Sequence, residues 1–312
     1  MKLRLFAATV AIALSTTVGA ETRLSYKSAK SASSYYQMAV QVAEAVKTGT
    51  DNQIQLTVEE SQGSVQNVKE ASRRGENYVF TSPPSLIGQA ADNQGPFEDG
   101  KDYKGIRALF PIPSLTMHFV VSEASGVATF DDLAGKDFIT GKGSFGARKA
   151  EEVFKTLGLD GKINLVDTEL DAAVPALQNR KVAGFATAGS YPAPNVMEVA
   201  AGTPIRLLGL DDSLIESISG TRLVIPGGTY PGVDDDTTTL SLPVAAYTLA
   251  SMSDDTAYAL TKAFWDNKDA MAETNRWWQG VTPELLASLG AELHPGAIRY
   301  YQEAGIELPE AP

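Results

Sequence analysis

The sequence predicts an α/β fold with two lobes, and three observations carry that prediction. Short apolar strands alternate with helical patterns of ten or more residues, which indicates a mainly parallel sheet with helices on its faces. The alternation restarts after Val121, which indicates a second block of the same kind. An extended segment over Leu240–Tyr247 then leads into a helical C-terminus, which predicts a return to the first block. Periodicity leaves one alternative open, a single continuous doubly wound sheet.

The N-terminus has the three parts of a secretory signal peptide. Lys2 and Arg4 form a short basic region, Leu5–Leu14 is apolar, and small residues precede a cleavage site near Ala20. The apolar run is too short to span a bilayer, and no other stretch approaches the ~20 consecutive apolar residues of a membrane helix. We therefore predict that residues 1–20 are a signal peptide and that the mature chain is exported, with a buried strand or an uncleaved anchor as the alternative.

The elements of the two blocks follow in chain order. In the first block the predicted segments are strands Arg23–Tyr26, Ile54–Val58 and Tyr78–Thr81, helices Tyr35–Lys47 and Val65–Arg74, and further strands Ile106–Pro111 and Met117–Val121. In the second block they are Phe130–Leu133 leading into strand Phe138–Thr140, helix Ala147–Leu157, strand Ile163–Val166, helix Ala172–Asn179 and strand Ala183–Ala186. The C-terminus is predicted helical from Asp254 through Lys268 and on to Tyr301.

Composition narrows the class of protein further. The length suggests about two domains, and the absence of cysteine means that the fold depends on its core rather than on disulfides. Without residues 1–20 the chain carries 24 basic and 38 acidic residues, a net charge of −14. That charge argues against nucleic acid and against an anionic membrane surface as partners.

Strand-to-helix turns hold the candidate binding residues, because open α/β sheets bind ligands beyond the carboxyl ends of their strands. Three such turns lie in the first block: Ser28–Tyr36, Gln62–Asn67 and Thr81–Pro84. Serines at helix starts offer hydroxyls, and the free backbone N–H groups there favour a carboxylate. The candidates in these turns are Ser33, Ser34, Tyr35, Gln62, Gly63, Ser64 and Ser82. For the first turn a plain helix N-cap is the alternative, and Ser64 is predicted to cap the second helix.

The second block offers two more turns, Gly141–Arg148 and Thr187–Pro192. Their candidate residues are Gly143, Ser144, Arg148, Gly189, Ser190 and Tyr191. The first of these turns lacks the glycine spacing of a phosphate-binding nucleotide loop. Arg148 offers a guanidinium fork to a carboxylate, with a solvated helix arginine as the alternative. We expect Tyr35, Ser64 and Ser144 to contact a ligand and none of the three to belong to the core.

Two segments near the C-terminus pair turn residues with aromatic or aliphatic anchors. Ile225–Asp236 is rich in Pro and Gly, so its backbone must bend sharply. Leu293–Tyr301 places Pro295 at the first helical position after His294. In that order, with a helix holding Tyr258–Trp265 between them, these segments closely resemble the TAXI family, the extracytoplasmic solute receptors of one class of TRAP transporters.

The resemblance implies a two-lobed periplasmic binding protein of the type II arrangement, with the ligand cleft between lobes joined by two crossing strands. We predict the crossings at Thr116–Ser122 and Ser241–Thr248. Lobe I is predicted to comprise residues 21–118 and 245–312, and lobe II residues 119–244. The resemblance further implies a periplasmic location and delivery of a small solute to the membrane-embedded permease subunits of a TRAP transporter.

The candidate turns match the family's motifs in part. Ser31–Tyr36 aligns with Thr-Gly-Gly-Thr-Tyr-Tyr but lacks both glycines, and Gln62–Asn67 matches Gly-Gly-Ser-Val-Glu-Asn apart from two glutamines. The family's Gly-Ser-Gly-Thr turn is kept only at Gly143 and Ser144. Because several family members are associated with glutamate or related dicarboxylates, the resemblance suggests a small organic acid or amino acid as the solute.

The sequence contains few combinations of residues that are typical of catalytic sites. His118 falls in a predicted crossing strand and His294 in a turn that resembles a family hallmark, so neither is predicted beside a presented serine. The nearest approach to G-x-S-x-G, around Ser144, has Lys142 in place of its first glycine. Asp234–Asp236 lacks the spacing of a calcium loop. We therefore predict no catalytic residue, metal or cofactor, and a binding protein rather than an enzyme; a periplasmic enzyme or a sensor-associated receptor of the same fold is the competing class.

Overall fold

The computed structural model describes residues 21–309. The predicted signal peptide, residues 1–20, lies outside the described residues, as do residues 310–312. Within the described range, no helix has both the length and the apolar character that crossing a membrane requires.

Strands and helices alternate along most of the described chain. The strands are β1 Thr22–Lys27, β2 Ile54–Glu59, β3 Tyr78–Ser82, β4 Ile106–Ser122, β5 Asp137–Ile139, β6 Asn164–Leu165, β7 Gly184–Gly189, β8 Ile205–Leu207, β9 Thr221–Ile225 and β10 Thr237–Leu249. The α-helices are α1 Ser34–Gly49, α2 Ser64–Ala71, α3 Pro84–Ala91, α4 Phe145–Thr156, α5 Ala173–Gln178, α6 Pro194–Ala200, α7 Asp212–Ser217, α8 Asp254–Thr274 and α9 Pro295–Glu303.

The strands form one hydrogen-bonded sheet that curls through two lobes. Its order is β2-β1-β3-β10-β4-β7-β5-β6, with β8 on β4 and β9 on β10. We call the parallel β1–β3 side, with α1–α3, α8 and α9, lobe I, and the parallel β5–β7 side, with α4–α7, lobe II. β4 and β10 run antiparallel between the two sides. The prediction of a two-lobed α/β fold is confirmed. The sheet is nevertheless hydrogen-bonded continuously from one lobe to the other, a feature of the alternative, a single doubly wound sheet. The residue boundaries of the lobes stay a prediction.

The two strands that join the lobes contain both predicted crossing segments. Residues 106–111 and 117–121, predicted as separate strands, belong to the single strand β4, because Pro111 and Pro113 do not interrupt it. The register of β4 against β10 shifts between Leu242 and Val244, where Pro113 and Ser114 face Pro243. One extra residue on β4 makes this a bulge, and bulges accommodate prolines because proline cannot donate to the ladder.

Aromatic rings fill the core on both sides of these strands. In lobe I, Phe110 of β4 stacks on Phe264 of α8 with ring centroids 4.0 Å apart. In lobe II, the rings of Phe119, Phe138 and Phe154 meet edge to face. Buried aromatic side chains contribute large apolar areas to stability, so each lobe anchors its own end of β4.

The two C-terminal segments form a helix start and a loop. Pro295 is the first residue of α9, and the His294 side chain accepts a hydrogen bond from the Gly296 backbone N–H. A Cβ on Gly296 would lie 2.1 Å from the Asp254 carbonyl oxygen, so only glycine lets α9 approach α8 this closely. The segment Ile225–Asp236 forms the loop between β9 and β10.

Several elements differ from the sequence prediction. The Thr81–Pro84 turn leads into helix α3, whose bounds the sequence did not predict, with Pro84 in its first turn, a position that proline tolerates because its missing N–H is not needed there. Helix α2 ends at Ala71 rather than Arg74. The sequence prediction did not include β8, α7 and β9, which have three, six and five residues.

Candidate functional site

A small cavity lies between the lobes at the carboxyl ends of the parallel strands. Its volume is about 60 Å³. Thr81 of β3, Thr140 after β5 and Thr187 of β7 reach it from strand ends, and Leu115 and Val244 of the crossing strands complete its wall. The other lining residues are Ala29, Lys30, Ser33, Tyr35, Gln62, Gly63, Ser64, Pro83, Gly141, Lys142, Ser144, Phe145, Gly146, Glu169, Leu170 and Ala188.

Helix starts from both lobes open onto this cavity. The Ser33 hydroxyl caps α1 by accepting from the Tyr35 N–H at 3.2 Å, and the Ser144 hydroxyl caps α4 by accepting from the Ala147 N–H at 2.9 Å. Gly63 and Pro83 are the N-cap residues of α2 and α3. The first N–H groups of a helix have no acceptor within it and carry partial positive charge. The cavity is therefore suited to a small anion.

The role predicted for Ser64 as a helix cap is wrong. Gly63 occupies the N-cap with φ 124°, a conformation that favours glycine, and Ser64 is the first helical residue. Instead, the Gln66 side chain accepts from the Gln62 N–H at 2.9 Å and so helps to hold the turn. Ser64 still lines the cavity.

Two glycines with backbone conformations that favour glycine lie where the lobes meet beside the cavity. A Cβ on Gly63 would lie 3.5 Å from Ser144 Cα, and a Cβ on Gly143 would lie 2.9 Å from Gln62 Oε1. Gly143 also has φ +77°, which other residues rarely adopt. Gly63 and Gly143, predicted as ligand residues, thus shape the contact between lobes.

Charged side chains close the mouth of the cavity. Glu169 of lobe II accepts a hydrogen bond from Gln62 Nε2 at 2.9 Å and pairs with Lys30 Nζ at 2.5 Å, both from lobe I. The hydrogen bond from Lys30 lowers the pKa of Glu169, and the same bond raises the pKa of Lys30. We call Lys30, Gln62 and Glu169 the mouth cluster.

The hydroxyls of Tyr35 and Ser190 bind the crossing strand instead of facing open space. Tyr35, 5% exposed, donates to the Pro113 carbonyl at 3.1 Å, and Ser190 donates to the Ser114 carbonyl at 2.6 Å. The expectation that Tyr35 lies outside the core is therefore wrong, although its side chain also touches the cavity. We call these two hydroxyls and the two carbonyls that they bind the hinge cluster.

The remaining predicted site residues lie away from the cavity lining. Ser34 is buried, and its Oγ lies so close to Gly189 that a Cβ added to this glycine would be 2.6 Å from the oxygen. The Ser82 hydroxyl donates to the Pro83 carbonyl at 3.1 Å. Arg148 faces grooves on the outside of α4, and Tyr191 lines a separate groove with Trp277. Of the predicted set, the structure gathers Ser33, Tyr35, Gln62, Gly63, Ser64 and Ser144 at one cavity.

Sequence reasoning missed the charged residues of the cavity. Lys30 lies inside the candidate turn Ser28–Tyr36, and its position in that turn is a signal that the sequence contains. Glu169 precedes the short 3-10 helix Leu170–Ala172, which carries no periodic pattern. Lys142, also overlooked, pairs with Asp167 at 2.7 Å.

The two histidines are buried structural residues outside the cavity lining. The His118 ring contacts the Tyr230 hydroxyl through Nε2 at 2.8 Å and the Thr116 carbonyl through Nδ1 at 3.1 Å, while that hydroxyl accepts from the Ala193 N–H. Burial lowers the pKa of His118 to about 4. Burial also lowers the pKa of His294. Among residues 21–309, no group of three His, Cys, Asp or Glu side chains is placed to hold a metal ion.

Three solved structures share this fold at low sequence identity. A Bordetella bronchiseptica RB50 protein aligns with a TM-score of 0.55 and 15% identity, over 93% of this chain and 86% of its own. The periplasmic binding protein BugD aligns with a TM-score of 0.54 and 11% identity, over 93% and 99% of the two chains. A protein described as a periplasmic transporter aligns with a TM-score of 0.52 and 10% identity, over 91% and 93%.

A family model matches most of the sequence. The model of the NMT1-like family covers residues 28–305. That range contains all the turns around the cavity, both crossing strands and the two C-terminal segments. The chain therefore belongs to the NMT1-like family, with the fold of the two-lobed periplasmic binding proteins.

Proposed function

We propose that this protein is the extracytoplasmic solute receptor of a TRAP transporter of the TAXI type. In this proposal it captures a small organic acid or amino acid in the periplasm and delivers it to the membrane-embedded permease subunits. The cleavable signal peptide, the lobe boundaries at 118/119 and 244/245 and the absence of catalysis belong to the same proposal.

The observation that carries the proposal is the convergence of helix starts on a cavity enclosed by both lobes. α1, α2 and α3 approach from lobe I and α4 from lobe II. Helix N-termini bind carboxylates through backbone N–H groups and the helix dipole. A cavity of about 60 Å³ favours a small solute.

Closure of the lobes supplies the mechanism. A ligand that contacts both lobes binds the closed form better than the open form and therefore shifts the population toward closure. In this proposal closure forms the contacts of the mouth cluster, because Lys30 and Gln62 belong to lobe I and Glu169 belongs to lobe II. A permease would then recognise the closed receptor by the relative placement of its lobes.

The ligand itself gives the most direct test. Native mass spectrometry of protein purified without denaturation should show a co-purified acid, and titration with carboxylates and amino acids should change the intrinsic fluorescence. Trp277 donates to the Pro192 carbonyl at 3.3 Å and so reports the contact between lobes. Retention of a sugar or a cationic amine, or chemical turnover of a panel member without added cofactor, would contradict the proposal.

Two serine caps provide a matched pair of variants. Ser144 caps α4 at the cavity, and Ser253 caps α8 away from it by accepting from the Thr256 N–H at 3.2 Å. Either Ser→Ala change should lower the free energy of unfolding by about 1 kcal/mol through loss of a cap. Only Ser144→Ala should weaken the affinity for an acid, by about 1.5–3 kcal/mol if its hydroxyl binds a carboxylate. Denaturant unfolding and calorimetric titration measure the two effects, and equal affinities in both variants would remove Ser144 from the binding site.

A further inference from the structure

Glu169 places a carboxylate at the wall of a cavity that otherwise favours anions. Its two oxygens are held by different groups of lobe I, Oε1 by Gln62 Nε2 and Oε2 by Lys30 Nζ. A carboxylate has about four lone-pair positions, so these two contacts leave acceptor capacity on Glu169. The side chain is 35% exposed and lines the cavity.

The cations near Glu169 are already neutralised by other groups. Lys30 interacts electrostatically with Glu169, Asp171 and Glu60, and all three carboxylates raise its pKa. Lys142, the other lysine on the cavity wall, pairs with Asp167. The charged surroundings of the cavity mouth are therefore negative in sum, although the helix starts deeper in the cavity are positive.

The negative mouth and the positive helix starts would act differently on the two ends of a bound ligand. One carboxylate can lie against the helix N-termini, where partial positive charge is concentrated. A second carboxylate at the other end would meet Glu169 at short range, with no free lysine among the cavity-lining residues to offset the repulsion. A hydrogen-bond donor at that end would instead use the remaining acceptor positions of Glu169.

We propose that Glu169 is a specificity-determining residue that selects acids with one carboxylate and a hydrogen-bond donor at the opposite end, and rejects dicarboxylates. The proposal rests on the proposed function, since it assumes that the cleft binds a small acid. It narrows the solute class, because a dicarboxylate and an amino acid are otherwise both compatible with the helix starts.

Matched probes of equal length test the proposal. Succinate and glutarate are compared by calorimetry with the ω-amino and ω-hydroxy monocarboxylates of the same chain lengths. The parent protein should bind the donor-bearing probe at least tenfold more tightly than the dicarboxylate. Glu169→Gln, which keeps the shape and an acceptor for Gln62, should bring that ratio close to one, mainly through tighter binding of the dicarboxylate.

Asp171→Asn is the control, because Asp171 is an exposed carboxylate near Lys30 that does not line the cavity. It should change the ratio much less than Glu169→Gln. If Glu169 only ties the lobes together, Glu169→Gln should weaken all probes equally and leave the ratio unchanged, which overturns the proposal. A parent protein that prefers dicarboxylates overturns it too. If no acid binds to the parent at all, the proposed function fails, and the selectivity proposal fails with it.

Discussion

The mouth cluster and the hinge cluster hold the two lobes by different physical means. At the mouth, Lys30 and Glu169 are charged and 23% and 35% exposed. At the hinge, the hydroxyls of Tyr35 and Ser190 bind consecutive carbonyls of β4 and are buried. Water can replace the partners of an exposed ion pair at little cost, whereas a buried hydroxyl that loses its partner stays unsatisfied.

The proposed opening of the cleft would affect the two clusters differently. The mouth contacts can break and reform as the lobes separate, because their groups become hydrated. The hinge contacts should persist through the motion and keep the bulge between β4 and β10 in one geometry. His118 resembles the hinge cluster in being a buried polar residue of β4. Its ring is neutral where it contacts the Tyr230 hydroxyl.

The largest expected effect is a dependence of the free energy of unfolding on pH, caused by the buried residue His118. The folded-state pKa of His118 is about 4, below the ~6.5 of an unfolded histidine. The unfolded chain therefore binds the proton more readily, so stability is complete above about pH 6.5 and is lost as the pH falls toward 4. Between pH 7 and pH 5 the free energy of unfolding should fall by about 2 kcal/mol through this residue.

Denaturant unfolding at several pH values measures this effect. His118→Gln cannot titrate and should lose most of the pH dependence between pH 5 and 7, whatever its absolute stability. Some dependence should remain from His294, whose pKa is also lowered by burial. Identical slopes in the parent and the variant would show that His118 is hydrated in the folded protein.

A smaller effect is expected at the hinge cluster from Tyr35→Phe. The variant keeps the ring but leaves the buried Pro113 carbonyl without its donor, which should lower the free energy of unfolding by about 1–2 kcal/mol. Tyr36→Phe, at the half-buried neighbouring position, is the matched control and should have little effect. Thermal or denaturant unfolding distinguishes them, and equal stabilities would mean that the hinge hydroxyl contributes nothing.

The smallest effect on stability is expected at the mouth cluster from Lys30→Met. The free energy of unfolding should change by less than about 1 kcal/mol, because the lost ion pair is partly exposed. Small-angle X-ray scattering without ligand should nevertheless show a larger radius of gyration, since a tie across the cleft has been removed. A loss of stability comparable to that of Tyr35→Phe would erase the contrast between mouth and hinge.

The sequence allowed good prediction of elements whose residues carry a repeated pattern. β1, β2 and α1 were found because their apolar positions recur with strand or helix spacing, and the turns that follow strands led to Ser33, Ser64 and Ser144. The cavity's charge could not be predicted in this way. Glu169 acquires its role from Gln62, 107 positions away in the chain, and no local pattern records such a contact.

Hydroxyl-bearing residues show a second limit of sequence reasoning. A serine or tyrosine at a helix start can face a ligand, cap the helix or bind another strand, and composition does not distinguish these outcomes. Ser144 caps α4 beside the cavity, while Tyr35 and Ser190 bind carbonyls of β4 that are close only in the folded protein.

The position of β10 has a consequence for the order in which the protein assembles. β10 lies between β3 and β4, in the middle of the sheet, yet it comes from residues 237–249. Thr248 donates to the Tyr78 carbonyl across 170 positions of sequence. A nascent chain that ends before β10 leaves facing edges of β3 and β4 unpaired, and such long-range pairing forms slowly. The sheet can therefore be completed only after almost the whole chain has been synthesised.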